Sequence, residues 1–191
     1  MFKFRDLRAD EIEVRIQSIL SKGDTCKGLQ LLLYKDSRTD ATILDETVGA
    51  ANWERKHYEC KGNLYCSVGI NVNYDNPAKE EKWVWKDDCG AESNMEKEKG
   101  EASDAFKRTM AINWGLGREL YTKIFIWVDA KDFNCWNTGA KDKYGNSVFK
   151  TNDKFFVEAI KIENKKIIGL AIKNASTGKQ VFLLKPDGEQ Q

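Results

Sequence analysis

The sequence predicts an α+β fold: an antiparallel β-β-β-α core sheet with a long helix packed on it, N-terminal helices before it and a C-terminal β meander after it. Leu64, Cys66, Val68, Ile70 and Val72 alternate with Tyr65, Ser67, Gly69 and Asn71, the period of two expected of a half-buried strand. The short turn Lys61-Gly62-Asn63 ties that strand to residues 53–60 as a hairpin. From Ser93 to Trp114 the apolar residues recur at helical spacing, and Gly115-Leu116-Gly117 ends the run.

Taken in order, residues 10–20 read as a short amphipathic helix, with Ile12, Ile16, Ile19 and Leu20 on one side. Residues 29–34 are short and apolar, as in a strand. Residues 40–48 read as a second helix, with Gly49 as its C-terminal cap. Strands are expected at 53–60, 64–72, 82–86 and 123–128, with the long helix between the last two. Ser93 and Glu96 form a capping box at its start. Residues 129–153 read as polar loop. Residues 155–162, 167–172 and 180–184, separated by hairpin turns, make the terminal meander. The expected division is a core over 1–130 and a Lys-rich loop and small β appendage over 131–191.

A chain of 191 residues is long enough for a real core. No apolar run is long enough to span a membrane, and Met1-Phe2-Lys3-Phe4-Arg5-Asp6 is no signal peptide, so the expected location is cytoplasmic. Five cysteines without a CxxC pair, and one histidine, His57, read as reduced thiols and no zinc site. Net charge is +1, but unevenly placed. Residues 131–191 carry 11 Lys against 7 acids, and residues 1–130 carry 20 Lys+Arg against 23 acids. A polyanion site in the first part must therefore be a local stripe.

The long helix holds such a stripe. Its apolar face is Met95, Ala102, Phe106, Thr109 and Asn113. Arg108 is expected to point away from that face, with Lys97, Glu101 and Asp104. Lys107 lies on a flank among the small residues Gly100, Ser103 and Ala111, a shallow floor on which another backbone could lie. The plainer reading is a solvated face with an Asp104–Arg108 ion pair.

The order of elements resembles the Rad fifty-two superfamily of single-strand annealing proteins, most closely its short phage-encoded (Sak-like) members. Ala9-Asp10-Glu11-Ile12 resembles the family's N-terminal helix. Tyr34 to Trp53, YKDSRTDATILDETVGAANW, resembles its second helix, and the hairpin, the 82–86 strand and Glu96–Arg108 resemble its β-β-β-α core. The resemblance covers about residues 7–128, and the tail from about Asp129 has no counterpart. It implies an oligomeric ring or helical arc whose basic groove holds single-stranded DNA by its backbone, leaving bases exposed for pairing. Lys107 and Arg108 correspond to groove cations, and Arg38 lies one position from a groove arginine. Lys99, together with Arg55 and Lys56 chosen from position and charge, joins the set, with Tyr65 as a stacking residue. A single-strand-binding protein and a recombination exonuclease are the implied partners, in the host bacterium if the chain is phage-encoded. Annealing needs no hydrolysis, cofactor or metal, and no GxxxxGK[ST] loop is present.

Two rivals differ in class. Asp75 with Glu80-Glu81-Lys82 imitates the D…(D/E)xK pattern of metal-dependent nucleases, although Pro77 and a polar loop divide it. A DNA-binding oligomeric scaffold without annealing activity would show the same cations. Trp83 and Trp85 share one strand face and read as core or subunit interface.

Overall fold

Residues 10–20, whose spacing suggests a helix, belong from Glu13 onward to a strand. In the computed structural model, which describes residues 2–91 and 97–186 (the side chains of 97–99 excepted), β1 (Glu13–Lys22) pairs with β2 (Thr25–Tyr34) around a turn at Gly23, φ +59°. The register shifts between Ile16 and Ser18. A bulge switches which parity faces inward, so Val14 and Ile16 are half-buried before it, and Ile19 and Ser21 after it. That switch imitates helical spacing in a sequence whose β-branched residues favour a strand.

The chain then forms α1 (Ser37–Val48), β3 (Trp53–Cys60), β4 (Asn63–Asn71), β5 (Trp83–Cys89) and α2 (Lys97–Arg108), which continues as a π-helical segment from Thr109 to Trp114. Gly115 ends it with φ +82°, a left-handed conformation that suits glycine. The capping box at Ser93 and Glu96 lies outside the described residues. Six further strands follow: β6 (Ile126–Asp129), β7 (Trp136–Lys141), β8 (Ser147–Lys150), β9 (Phe155–Glu163), β10 (Lys166–Asn174) and β11 (Gln180–Leu184).

These elements fall into two compact units. One, built from Leu7–Lys35 and the chain from Glu119 onward, holds a six-stranded sheet ordered β11-β10-β9-β1-β2-β6, which curls until it is nearly closed. Leu29, Leu31, Val128, Leu170 and Ile172 fill its interior. Asn164 and Lys165, both at positive φ, make the tight β9–β10 turn. The β7–β8 hairpin, in a stretch expected to be loop, is tied to the β1–β2 turn. Ser147 N–H donates to the Gly23 carbonyl at 2.8 Å, and Lys141 is ion-paired with Asp24. Asp142 makes that hairpin possible by accepting the backbone N–H groups of Tyr144 and Asn146, at 2.8 and 2.9 Å.

The other unit, Met1–Asp6 with Asp36–Arg118, contains the three-stranded sheet β3-β4-β5, with α2 against one face. The α+β expectation is overturned all the same. Among the described residues there are eleven strands and two α-helices, and the dominant sheet is the six-stranded one, not a small sheet under a long helix. The first expected helix is β1, and the segment read as loop contains β7 and β8.

Candidate nucleic-acid interface

Strand pairing in the smaller sheet sorts its side chains onto two faces. Arg55 pairs with Val68, which pairs in turn with Lys86, and Lys56 pairs with Ser67, which pairs in turn with Asp87. Pleating therefore puts Trp53, Arg55, His57, Cys66, Val68, Lys86 and Asp88 on the α2 side, and Lys56, Tyr58, Tyr65, Trp83, Trp85 and Asp87 on the other.

On the α2 side, Phe106 is fully buried, with the Trp53 ring parallel to it at 6.1 Å and the Arg55 guanidinium 4.9 Å from its centroid. The Thr109 hydroxyl donates to the Cys66 carbonyl at 2.7 Å. Burial pushes the Cys66 thiol up to about 11, against the opposing pull of Arg55. The edge of α2 expected to be solvated instead fastens it to the sheet. Glu101 accepts the Leu64 N–H at 3.1 Å, and Asp104 accepts the Ala91 N–H at 3.0 Å. Arg108 does not point away: its guanidinium reaches Asp88 of β5 at 3.5 Å, and Asp88 takes the place of the anticipated Asp104 partner.

Arg38 and Lys107, 69 positions apart in sequence, act on one carboxylate. Asp36 caps α1 by accepting the Arg38 N–H at 2.8 Å. It also holds the Arg38 guanidinium through both oxygens, at 3.2 and 2.9 Å. The hydrogen bonds from Arg38, with a further contribution from the Lys107 charge, bring the Asp36 carboxyl down to about 2. The Arg38 side chain is 90% exposed. Lys99 lies in the first turn of α2, but its side chain is outside the described set.

The opposite face carries Lys56 and Tyr65. The Lys56 ammonium lies 4.3 Å from the centroid of the Trp85 ring and 3.5 Å from Glu54. Tyr65 stacks on Tyr58 at 5.4 Å, and the Tyr58 hydroxyl donates to Asp87 at 2.6 Å, which raises its pKa to about 12. Trp85 lies flat across Gly69, where a Cβ would fall 2.6 Å from the indole. Tyr58 and Trp85 are 42% and 38% exposed, so this is an aromatic face and not sheet core. The site residues named from sequence are thus divided. Arg38, Lys107, Arg55 and Arg108 belong to the α2 side, while Lys56 and Tyr65 belong to the aromatic side. Sequence reasoning missed Tyr58, which the register places opposite Tyr65, and Asp36, whose position ahead of an apolar helical run is an N-cap signal.

The nuclease-like residues are engaged locally: Glu81 accepts the Trp83 indole N–H at 3.0 Å, and the Lys82 carbonyl accepts the Val72 N–H at 2.8 Å. Among the described residues, no group of three or more His, Cys, Asp or Glu could hold a metal ion, and no helix is long and apolar enough to cross a membrane. All five cysteines are free.

Compared with protein-family models, with curated proteins and with solved structures, the chain matches none.

The Asp36 cluster makes a pH prediction. A carboxylate whose folded pKa is about 2 against an ordinary ~3.9 binds its proton later when folded than when unfolded. Its contribution to stability is present above about pH 4 and is lost as pH falls towards 2. Melting temperature measured across that window should fall less steeply in Asp36→Asn than in the parent. Parallel curves would show that the cluster does not hold Asp36 ionised.

Proposed function

We propose that this chain is an ATP-independent single-stranded DNA-binding and strand-annealing protein of homologous recombination, related to the short phage-encoded annealing proteins. It is not an enzyme on this reading. It works as a homo-oligomer in the cytoplasm of a bacterial host, beside a single-strand-binding protein and a recombination exonuclease. The observation that supports this most directly is the Arg38 guanidinium, 90% exposed and held on the Asp36 carboxylate at 2.9 Å, with the Lys107 charge also acting on that carboxylate.

An exposed Arg–carboxylate pair contributes little to stability, in the range of about 0–1 kcal/mol. Arg38 can therefore exchange Asp36 for a phosphate at small cost, with Lys107 supplying a second charge from another helix. Contacts to phosphates alone leave base edges free to test a complementary strand. The oligomer has a physical motive as well. β3 and β5 are the edges of their sheet, and the aromatic face exposes Tyr58 and Trp85.

Fluorescence anisotropy with oligo-dT and with a duplex of equal length, over a salt series, tests the reading. The single strand should bind more tightly, and log affinity should fall with log salt by about 0.7 per phosphate neutralised. Equal affinity for both, with a flat salt response, would contradict it. Tight binding without annealing would point to a scaffold.

A further inference from the structure

We infer that the seam of the six-stranded sheet is a separate binding site for a single unpaired nucleobase bearing an exocyclic amino group. The site lies within the other unit and does not rest on the annealing reading.

β6 and β11 are the two ends of the sheet order, and they flank an open pocket of about 390 Å³. That volume lies in the range of small-molecule sites, roughly 300–1,000 Å³. Its floor is a built aromatic stack. Trp127 lies on β2 where only glycine leaves room, since a Cβ at Gly28 would fall 2.3 Å from its ring. Its indole N–H donates to Asp129 at 2.9 Å, which fixes the ring in its plane. Phe125 continues the stack, 6.2 Å away and within 11° of parallel, and is 58% exposed. A ring so exposed, on a partner so firmly held, presents a flat apolar surface to which a base can add as the next layer.

The polar groups around that surface are of the kinds that read base edges. Asp132 and Gln180 line the pocket with Lys131. A carboxylate accepts from an amino group such as cytosine N4, and a side-chain amide both donates and accepts along an adenine edge. The amide can serve any base, so the discrimination rests on Asp132: thymine and uracil carry no amino group and offer a carboxylate only a ring N–H flanked by two repelled carbonyl oxygens. Lys131 can neutralise an attached phosphate. The surrounding unit carries 17 Lys+Arg against 13 Asp+Glu, a net of +4. That balance favours a nucleic acid over a basic peptide, the other occupant an aromatic and acidic pocket could take.

Neutral nucleosides are the cleanest probe, because they remove the phosphate from the comparison. Ligand-observed NMR titration of the full chain should show saturable binding of deoxycytidine, with deoxyuridine weaker by about tenfold, the discrimination one good edge contact supplies. Phe125→Ala should weaken deoxycytidine binding about tenfold or more while leaving the melting curve unchanged, since the ring is exposed. Asp132→Asn should narrow the gap between the two nucleosides. Arg38→Ala with Lys107→Ala should bind deoxycytidine like the parent, which separates this site from the strand-binding one. No saturable deoxycytidine binding, full binding by Phe125→Ala, or tighter binding of N-acetylarginine amide than of any nucleoside would overturn the assignment.

Discussion

Replacing Arg38 and Lys107 together by alanine is expected to weaken oligo-dT binding at moderate salt by at least about tenfold per subunit, and by more in an oligomer. With two fewer phosphates neutralised, the salt slope should also flatten by about 1.4, twice the single-strand value of ~0.7. Folding should survive, because both cations lie at the surface and the Arg38–Asp36 pair is an exposed one. Arg108 is the wrong partner for such a test. Its ion pair with Asp88, a side chain only 18% exposed, gives it a share in holding α2 to β5. A Lys107→Ala/Arg108→Ala variant would mix weaker binding with a loosened helix–sheet junction. Anisotropy on the Arg38→Ala/Lys107→Ala protein, with circular dichroism to check its fold, keeps the two effects apart.

The largest stability effect is expected from Phe106→Ala. The ring is fully buried between the Trp53 indole and the Arg55 guanidinium, and it anchors α2 to the smaller sheet. Removing a buried Phe costs about 3–5 kcal/mol through the transfer energy of the ring and the cavity left behind. That is a large part of the ~5–15 kcal/mol by which folded domains exceed their unfolded state. Urea denaturation followed by tryptophan fluorescence should show the unfolding free energy falling by that amount and the midpoint moving to lower urea. A loss below about 1 kcal/mol would mean that α2 is held mainly by its polar ties, Glu101 to Leu64 and Asp104 to Ala91.

How much of this was legible in the sequence depends on the residue. The β3–β4 hairpin was, because its alternation runs unbroken through Leu64, Cys66, Val68 and Ile70, and its turn is short. The end of the long helix was too, because Gly115 supplies the positive φ required there. β1 was not: one bulge between Ile16 and Ser18 changes the inward parity and produces the spacing of a helix. The β7–β8 hairpin was hidden because β7 is exposed along its whole length and β8 has only Val148 and Phe149 as apolar residues, the pair being held in place through Asp142, Ser147 and Asn146. Those two misreadings concealed the nearly closed sheet and made the chain look richer in helix than it is.

The candidate site shows the same division. Lys107 could be singled out from its small neighbours on the helix, where it is half-buried. That its charge also acts on Asp36, the carboxylate that holds Arg38, could not be read there, because it depends on how α1 and α2 pack. The direction of Arg108 was misjudged because a helical wheel places a residue relative to the helix axis only. The sheet's edge reaches past α2 far enough for Asp88 to meet a side chain that the wheel assigns to solvent.

Annealing itself is the most direct test of the central claim. Two complementary oligonucleotides labelled as a fluorescence-transfer pair are mixed at moderate salt, with the parent protein but neither nucleotide nor metal. Pairing is expected to run faster than the spontaneous rate by an order of magnitude or more, an acceleration abolished in the Arg38→Ala/Lys107→Ala variant. A parent that pairs the strands no faster than buffer, or a variant that pairs them as fast as the parent, would contradict it.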